Sequence, residues 1–419
     1  MTKGPSDDCF AIGEDLMPLD KALGLLRARL APVVGTETVA LREAAGRVLA
    51  AGLHAPRDVP GFDNAAVDGY AFAHASLDTE GETRLPLYGV ARAGAPMTAA
   101  LPRGTAAEVF TGAPIPEGAD TVVMIEDTRR EGHAVILPPG VKPGANVRRA
   151  GEDIMAGTPV LEAGQRLRPQ DLGLAAAVGA PGLEVHERLR VAVFSTGNEL
   201  AEPGDRLPPG GVHDVNRPML SAILEGWGFA VSDLGILPDD PARLREVLAA
   251  ASEQHEVILS SGGASRSTED HVVRAVGALG RLDFWRIAIK PGRPLAFGRV
   301  GGVIFVGLPG NPVAAAVCLM RIARPALFRL AGAVWREPVS YPLPAAFVMT
   351  KKPARREFLR GSVIRDNEGR AWVQRFDRQG SGVLTSMVAT AGLIELPEAL
   401  TRIERGDLVD FVPYCELFF

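Results

Sequence analysis

Between Glu256 and Pro312 the chain alternates short apolar runs with glycine- and proline-rich turns, and this stretch limits the folds open to it. Residues 256–260 are predicted as a buried strand, and Ser261-Gly262-Gly263-Ala264-Ser265 follows directly. Glycines there permit a sharp turn that brings backbone N–H groups against a ligand. Predicted strands 284–289 and 303–306 end at similar turns, which contain Lys290 and Arg293 and Gly307–Pro312. Since ligands bind at the carboxyl edge of an open α/β sheet, we expect the three turns to form a site.

The same alternation extends over residues 189–330. Strands are predicted at 190–194 and 230–237, and helices at 218–228, 242–253, 269–279 and 313–330. A β-α-β series of this kind predicts a mostly parallel sheet.

The flanking regions differ in character. Helices are predicted at 20–30 and 41–51, and a helix beginning at Pro169 is predicted to end near Gly179. The proline- and glycine-rich stretch 55–145 predicts a compact β domain, and short strand patterns after Pro338 predict another. The fold class is therefore multidomain α/β and β. The predicted domains are a helical or extended N-terminal unit (1–53 with 146–181), a β-rich insertion (54–145), an α/β sandwich (182–331) and a small C-terminal β domain (332–419).

Composition excludes several classes of protein. With 419 residues, 47% hydrophobic and 23% charged, the chain has ample material for large cores. A net charge of −5 argues against nucleic acid or membrane-surface binding. The three cysteines lie far apart and predict neither a zinc site nor a disulfide framework. No signal peptide or membrane-spanning run is evident, so a cytoplasmic protein is expected.

Several polar groups admit two interpretations. The loop from Asp58 to Tyr70 carries three carboxylates and an asparagine, which serve either turn chemistry or a divalent cation. Thr111 lies in an ordinary loop or presents its hydroxyl to a ligand. Lys290 and Arg293 are either exposed to solvent on a loop, or they contact an oxyanion such as phosphate. Four acidic residues lie near predicted strand ends, namely Glu199, Asp239, Asp240 and Asp270. Each either stabilises the N-terminus of a helix, or the four together form a metal site.

The glycine turn after residue 260 is neither a GxGxxG fingerprint nor a Walker loop, so NAD binding and ATP hydrolysis are not indicated. It suits an anion or a polar heterocycle.

Eight strings together carry a resemblance to a known family. They are, in chain order, PGFDNAAVDGYA, TGAPIPEGADTVV, RRAGEDI, FSTGNEL, LPDDP, SSGGAS, IAIKPGRP and GLPGNP. From about residue 15 to the C-terminus the chain resembles the molybdopterin molybdenumtransferases, the MoeA family, which includes the E domains of gephyrin and of the plant Cnx fusion protein.

The resemblance implies an elongated four-domain homodimer whose third domain binds molybdopterin. The implied reaction converts adenylylated molybdopterin and molybdate into molybdenum cofactor and AMP, with magnesium. The active cleft is expected between the α/β domain of one subunit and the β insertion of the other. A molybdopterin adenylyltransferase is the expected source of the substrate, and no nucleic acid or membrane partner is expected.

Residue by residue, the resemblance also implies a site. The implied catalytic residues are Asp63, Thr111, Asp153, Glu199, Asp239, Asp240, Asp270 and Lys290, with Asp239 and Asp240 as alternatives at one position. The implied magnesium ligands are Asp63, Glu199, Asp239 and Asp270. The implied substrate-binding residues are Ser261, Gly262, Gly263, Ser265, Lys290, Arg293, Pro309, Gly310, Asn311, Pro312, Arg355, Arg356 and Ser381, with Arg355 and Arg356 as alternatives.

Within that set, Lys290 and the N–H groups of Gly262 and Gly263 are expected to hold phosphate and pterin. An arginine fork (Arg355 or Arg356) and the Ser381 hydroxyl are expected to bind molybdate, a tetrahedral dianion.

The chain departs from the family pattern at a few positions, namely Asn198, Arg266, Ser267, Arg286 and Arg293. Arg266, beside the glycine turn, adds a phosphate contact or marks altered substrate handling, and Arg286 changes donor geometry relative to lysine. Two other functions remain open from the sequence. They are a scaffolding protein that keeps the fold without the chemistry, and a molybdopterin adenylyltransferase or pterin carrier.

Overall fold

The computed structural model describes residues 16–78, 80–262, 271–292 and 294–418. Its helices are α1 (Leu19–Arg29), α2 (Pro169–Ala177), α3 (Asn216–Gly226), α4 (Pro241–Gln254), α5 (His271–Leu279), α6 (Pro312–Cys318), α7 (Arg324–Leu330), α8 (Thr385–Val388) and α9 (Cys415–Phe418). The strands before residue 187 are β1 (Thr36–Ala40), β2 (Leu53–His54), β3 (Asn64–Ala65), β4 (Gly69–Phe72), β5 (Thr83–Ala91), β6 (Ala106–Val109), β7 (Thr121–Met124), β8 (Arg129–Glu131), β9 (Ala134–Leu137), β10 (Val147–Arg148), β11 (Pro159–Leu161) and β12 (Gly182–His186). The later strands are β13 (Arg190–Thr196), β14 (Leu200–Ala201), β15 (Val212–His213), β16 (Ala230–Leu237), β17 (Val257–Ser261), β18 (Gly280–Arg286), β19 (Ile289–Lys290), β20 (Pro294–Val300), β21 (Val303–Leu308), β22 (Tyr341–Pro344), β23 (Met349–Thr350), β24 (Arg356–Arg365), β25 (Ala371–Arg375), β26 (Gly392–Leu396), β27 (Arg402–Ile403) and β28 (Leu408–Pro413).

The central sheet has the strand order β16-β13-β17-β21-β20-β18. Strands β16, β13, β17 and β21 are parallel, as the alternating pattern predicts. Strand β20, which was not predicted, pairs antiparallel with β18 and β21. Its sequence begins with Pro294 and contains Gly298, and both residue types weaken a strand pattern. The prediction of a mostly parallel sheet is confirmed, with one inserted antiparallel strand.

Each face of this sheet carries its own hydrophobic core. One core joins Leu23 and Leu26 of α1 to Phe297, Val306 and the helices after β21. The other packs α4 and α5 against Ile258 and Phe305. The predicted α/β sandwich is confirmed, and α1 contributes to its core.

The predicted helix 313–330 is confirmed, but residues Leu319–Ala323 within it form a π-helical turn. Pro325 follows in the first turn of α7 and has no N–H to donate to the preceding turn. A wider turn accommodates that missing donor.

Two β sheets flank the central sheet. The first has the order β7-β4-β6-β5-β9-β8 and lies within the predicted β-rich insertion. The second has the order β19-β24-β26-β28-β22, with β25 paired to β24. Because β19 follows β18 of the central sheet, its parallel pairing with β24 joins the α/β and C-terminal regions directly. The predicted domain boundaries stay a prediction.

The N-terminal region differs from the prediction. The predicted helix 41–51 is wrong, since only Leu41–Glu43 form a helical turn, and it is of 3-10 type. Gly46 has a φ of +75°, which ends any helix there. Strands β1 and β12, which the sequence analysis did not identify, pair antiparallel and bring residues 36–40 against 182–186. The helix beginning at Pro169 is confirmed as α2.

No helix within the described ranges is both long enough and apolar enough to cross a bilayer.

Candidate functional site

The carboxyl ends of four parallel strands lie side by side at one edge of the central sheet. Thr196 is paired with Leu237, and Ser261 with Leu308, while Ser195 and Ser261 are also paired. The turns that follow these strands therefore leave the sheet at the same level. The predicted turns after residues 261 and 308 therefore share one edge, and the pairing of Arg286 with Pro294 places the segment between β18 and β20, which carries Lys290, at the same end of the sheet.

Asp239 lies at this edge and is held by the neighbouring turn. Its carboxylate accepts hydrogen bonds from Thr196 Oγ1 at 2.6 Å and from the Asn198 N–H at 3.1 Å. Glu199, one residue farther along that turn, is exposed. The two carboxylates thus belong to adjoining segments at the sheet edge.

Asp240 has a different role. It is the N-cap of α4, and its carboxylate accepts from the Ala242 N–H at 2.8 Å. A capping carboxylate satisfies the free donors of its own helix. Of the two alternatives that the sequence left open, Asp240 thus caps α4, and Asp239 is the one held against the neighbouring turn at the sheet edge.

Asn216, at the start of α3, connects two of the turns. Its amide nitrogen donates to Ser261 Oγ at 2.7 Å and to the Gly310 carbonyl at 2.6 Å. Its oxygen Oδ1 is buried and has no hydrogen-bond partner among the residues that the structure describes. Asn216 was not among the predicted site residues, because the contact between residues 216, 261 and 310 is visible only in three dimensions.

The expected role of Gly262 is wrong in part. Its φ of +87° is the left-handed conformation that glycine permits, so the sharp turn is present. However, its N–H donates to the Leu308 carbonyl at 3.1 Å and is not available to a ligand. Ser261 is buried, and its hydroxyl already accepts from Asn216.

Lys290 lies at the junction with the C-terminal sheet, where β19 pairs with β24. Its ammonium group is 3.2 Å from a Glu357 carboxylate oxygen. The Lys290 side chain is 53% exposed whereas that of Glu357 is 4% exposed. A buried carboxylate thus anchors an ammonium group that still faces solvent.

The pairing also brings the candidate arginines to Lys290. Buried Lys351 donates to the Arg355 carbonyl at 2.8 Å, and burial lowers the pKa of Lys351. Arg355 is half-buried. A cluster of three basic side chains, Lys290, Lys351 and Arg355, therefore lies beside Glu357; it is called the basic cluster below.

Arg356 is not a free fork for an oxyanion. Its guanidinium forms ion pairs with Asp20 at 2.9 Å, Glu395 at 3.0 Å and Glu398 at 3.1 Å. Burial lowers the pKa of Arg356, but the hydrogen bond to Asp20 and the negative charges of Glu395 and Glu398 outweigh it. The pKa of Arg356 is therefore raised. Because its donors are used in holding α1 to the C-terminal sheet, the structure favours Arg355 over Arg356 as the ligand-binding arginine.

Ser381 lies against the turn that precedes α6. Its carbonyl accepts from the Val313 N–H at 3.0 Å. Gly310 and Asn311 of that turn are exposed, Pro309 is buried and Pro312 is half-buried. The Ser381 segment and the 309–312 turn are therefore neighbours, as expected for a shared substrate site.

The remaining candidates lie in or beside the β-rich insertion. Asp63 accepts from Arg149 Nη1 at 2.6 Å and from the Ala150 N–H at 2.8 Å. The Ala150 N–H and then the Arg149 guanidinium hold the pKa of the Asp63 carboxyl below its usual value. Asp63 is thus an ionised carboxylate that already has a cationic partner.

Thr111 and Asp68 form a second pair in this region. The Asp68 carboxylate accepts from the Thr111 N–H at 2.7 Å and from its hydroxyl at 2.8 Å, and these bonds lower the pKa of Asp68. Asp58 accepts from the Ala156 N–H at 2.7 Å, so this carboxylate joins two segments that are distant in the chain and does not cap its own turn.

Asp153 is exposed and lines an open cleft of about 400 Å³. The other lining residues are Val59, Pro60, Asn64, Arg148 and Glu152.

Four residues predicted for the site lie outside the part of the chain that the structure describes, namely Gly263, Ser265, Asp270 and Arg293. The same holds for Arg266 and Ser267, which depart from the family pattern. Among the residues that are described, no three His, Cys, Asp or Glu side chains are grouped so that they could hold a metal ion. Asp63, Glu199 and Asp239 therefore do not form such a group within one chain.

Comparison with known proteins defines the class first. The part of the chain from 192 to 329 matches the family model described as a probable molybdopterin binding domain. Residues 17–179 match the MoeA N-terminal region (domain I and II), and residues 342–414 match the MoeA C-terminal region (domain IV). The fold and its sheet edge are those of a multidomain protein built around this binding domain.

The chain belongs to the MoeA family. It is 35% identical over 404 residues to a molybdopterin molybdenumtransferase of Haemophilus influenzae, covering 96% of this chain and 100% of that one. It is 36% identical over 382 residues to molybdopterin molybdenumtransferase 2 of Mycobacterium tuberculosis, covering 88% and 93%. A crystal structure of a molybdopterin biosynthesis MoeA protein from Pyrococcus horikoshii superposes with a TM-score of 0.81 at 31% identity, covering 96% of this chain and 100% of that one.

Proposed function

We propose that this protein is a molybdopterin molybdenumtransferase, which converts adenylylated molybdopterin and molybdate into molybdenum cofactor and AMP. The observation that carries the proposal is the β19–β24 pairing, which places Lys290 beside Arg355 and Glu357 at the sheet edge. The cations proposed for an oxyanion therefore lie on the segment after β18 and directly before β24, and the carboxylates proposed for a cation lie on the turns after β13 and β16. The names of the similar proteins support the same activity.

The basic cluster is proposed to bind molybdate. Lys290 presents an exposed ammonium group, Arg355 offers a planar fork, and the Ser381 hydroxyl adds a neutral donor. A divalent oxyanion is bound best by several charge-assisted hydrogen bonds of this kind. Glu357 orients Lys290, because its buried carboxylate fixes one side of the ammonium group.

The turns after β13, β16 and β17 are proposed to hold the substrate's pyrophosphate. Asp239 is fixed by Thr196 and Asn198, so it enters the reaction as an oriented carboxylate. Asn216 keeps the Ser261 and Gly310 turns at a constant separation. Positioning of this kind lowers the barrier because the reacting groups are brought together before the reaction.

Magnesium fits this edge, since Asp239 and Glu199 provide the carboxylate oxygens that hard cations prefer. When bound, the ion would supply positive charge to the phosphoanhydride oxygens. We propose Asp239 and Glu199 as its ligands, with Asp270 as the third. Asp63 is paired with Arg149 and is therefore not proposed as a primary magnesium ligand. It is proposed instead to contact the substrate that is bound in the cleft of the partner subunit.

We further propose a homodimer that shares each site between subunits, a cytoplasmic location, and receipt of the substrate from a molybdopterin adenylyltransferase. The free cysteines Cys318 and Cys415 fit a reducing compartment.

The decisive experiment mixes the protein with adenylylated molybdopterin, magnesium and molybdate, and measures AMP. AMP release that requires molybdate is expected. Release of AMP at the same rate without molybdate would contradict the proposal, because it would show hydrolysis of the substrate without metal insertion. No release of AMP in the presence of molybdate would also contradict it and would favour the pterin carrier or the scaffold.

Asp239→Asn is the matched test of the assigned carboxylate. It keeps the size and one acceptor for Thr196, yet removes the charge. We expect at least a tenfold fall in the rate of AMP release with unchanged melting temperature. An unchanged rate would exclude Asp239 as the functional acid.

A further inference from the structure

A fully buried arginine lies beneath the Ser381 segment and has no assigned role. Arg360 of β24 is 0% exposed. Its Nε donates to Ser386 Oγ at 2.9 Å, and Nη1 and Nη2 donate to the carbonyls of Phe358 at 3.3 Å and Gly380 at 3.1 Å. All three acceptors are neutral.

No carboxylate balances this cation among the residues that the structure describes. The other buried arginines of the neighbourhood differ, since Arg321 and Arg356 both pair with Glu395. Burial lowers the pKa of Arg360, which shows how unfavourable its environment is for a charge. A buried cation without a counter-ion lowers the stability of the fold, so we expect Arg360 to have a function that offsets this loss.

The contacts of Arg360 hold the chain segment that leads to Ser381. Gly380, whose carbonyl the guanidinium holds, directly precedes Ser381. The Gln379 side chain accepts from the Arg360 N–H at 2.9 Å and donates to the Arg360 carbonyl at 2.9 Å. The segment 379–380 is therefore fixed to β24 by both the backbone and the side chain of one residue.

The far side of the segment is fixed as well. The Ser381 carbonyl accepts from Val313, so the serine is held between β24 and the start of α6. Ser381 itself is half-buried. The backbone that carries its hydroxyl is therefore held in place before any ligand arrives.

We propose that Arg360 is a positioning residue for oxyanion binding, and that the bound dianion serves as its missing counter-ion. Its fork holds the Gly380 carbonyl so that the Ser381 hydroxyl points at the oxyanion. Its charge adds to that of the basic cluster without touching the ligand. This inference rests on the proposed function, because it takes molybdate as the oxyanion of the Ser381 site.

Two variants separate the fork from the charge. Arg360→Lys keeps the charge but supplies one ammonium group in place of a planar fork, and Arg360→Met keeps the length but neither property. Arg365→Met is the matched control, since Arg365 is an exposed arginine on the same strand that bonds only the Gly369 carbonyl. Circular dichroism and thermal melting verify that each variant folds.

The readouts are the Kd of molybdate by calorimetry and the KM values of both substrates. We expect the molybdate Kd to rise at least fivefold in Arg360→Lys and at least twentyfold in Arg360→Met, with no change in Arg365→Met. The KM for adenylylated molybdopterin should stay within twofold, which a general loss of structure would not permit.

A folded Arg360→Met protein with a molybdate Kd within twofold of the wild type overturns the inference. If Arg360→Met does not fold, an Arg360→Lys protein within twofold of the wild type overturns it. Wild-type protein that binds molybdate but releases no AMP would refute the proposed function alone, and the Kd values of the variants would still decide the inference. Wild-type protein that does not bind molybdate would refute both.

Discussion

At the scale of single residues, Ala354 shows that local strain lies beside the basic cluster. It has a φ of 62°, in the left-handed region that a side chain with a Cβ disfavours. Its N–H donates to the Glu398 carbonyl at 3.1 Å, which holds it there. The strained turn sets the direction in which the chain enters Arg355.

Ala354→Gly should therefore stabilise the protein by about 1 kcal/mol, because glycine adopts positive φ without steric cost. Chemical denaturation measures the effect. Ala250→Gly in the middle of α4 is the matched control and should destabilise by about 1 kcal/mol, since an exposed helix position favours alanine. A loss of stability in both variants would show that the Ala354 conformation is unstrained.

Asp63 makes a residue-scale prediction that depends on pH. Its pKa is lowered in the folded state, so its stabilising contribution is present above the unfolded pKa of about 3.9 and is lost as pH falls through the lower, folded value. Asp63→Asn should cost about 1 kcal/mol at pH 7, a figure reduced for the 38% exposure of the side chain.

The stability difference between the wild type and Asp63→Asn should shrink as the pH falls from 5 towards 2, in thermal melts at several pH values. A difference that persists unchanged at the acid end would mean that the carboxylate charge does not stabilise this loop.

At the scale of elements, substitutions of the adjacent residues Asp239 and Asp240 before α4 should have different effects. Asp240 caps the helix, so Asp240→Ala should cost about 1 kcal/mol and raise hydrogen exchange in the first turn of α4. AMP release should stay within twofold of the wild type. A large loss of activity with normal exchange in α4 would return the functional role to Asp240.

Arg217 of α3 makes a second element-scale prediction. It is buried and pairs with Asp214 at 3.0 Å, Glu202 at 2.5 Å and Asp233, so it ties the loop 198–215 to α3 and β16. Arg217→Met should destabilise by about 3 kcal/mol, because the buried Asp214 carboxylate keeps its backbone N–H donors but loses its cationic partner.

Hydrogen exchange should rise in residues 198–213 of the Arg217→Met protein. Arg243→Met is the control, since that exposed arginine of α4 pairs only with Glu246 and should change stability by less than about 0.5 kcal/mol. Equal effects in the two variants would contradict the tethering role.

At the scale of the whole molecule, Asp63 and Lys290 belong to different sheets: Asp63 directly precedes β3, which pairs with β10, and Lys290 lies in β19 at the edge of the C-terminal sheet. The proposed homodimer completes each site with Asp63 from one subunit and Lys290 from the other. Asp63→Ala and Lys290→Ala proteins should each be inactive. Co-expressed with different tags, they should recover about a quarter of wild-type activity, because half of the dimers are mixed and each mixed dimer has one intact site.

The purified mixed dimer is the direct test and should have about half the activity of the wild type. Activity no greater than that of the single variants would mean that both residues act within one chain.

Elements with a local pattern could be predicted from the sequence alone. Strand β16 was predicted to the residue at 230–237, and Pro169 was correctly placed at a helix start. The alternation of strand and helix then predicted the parallel sheet and the edge at which its strands end. These features follow from side-chain periodicity, which neighbouring residues set among themselves.

Which of two neighbouring residues has its hydrogen-bonding groups already engaged depends on the tertiary structure. Arg355 and Arg356 are equivalent in sequence, yet only Arg356 meets Asp20, Glu395 and Glu398. The Gly262 N–H was expected to face a ligand, but Leu308 from another strand takes it. A hydrogen-bonding group is free or engaged according to partners far away in the chain, and a local pattern carries no information about them.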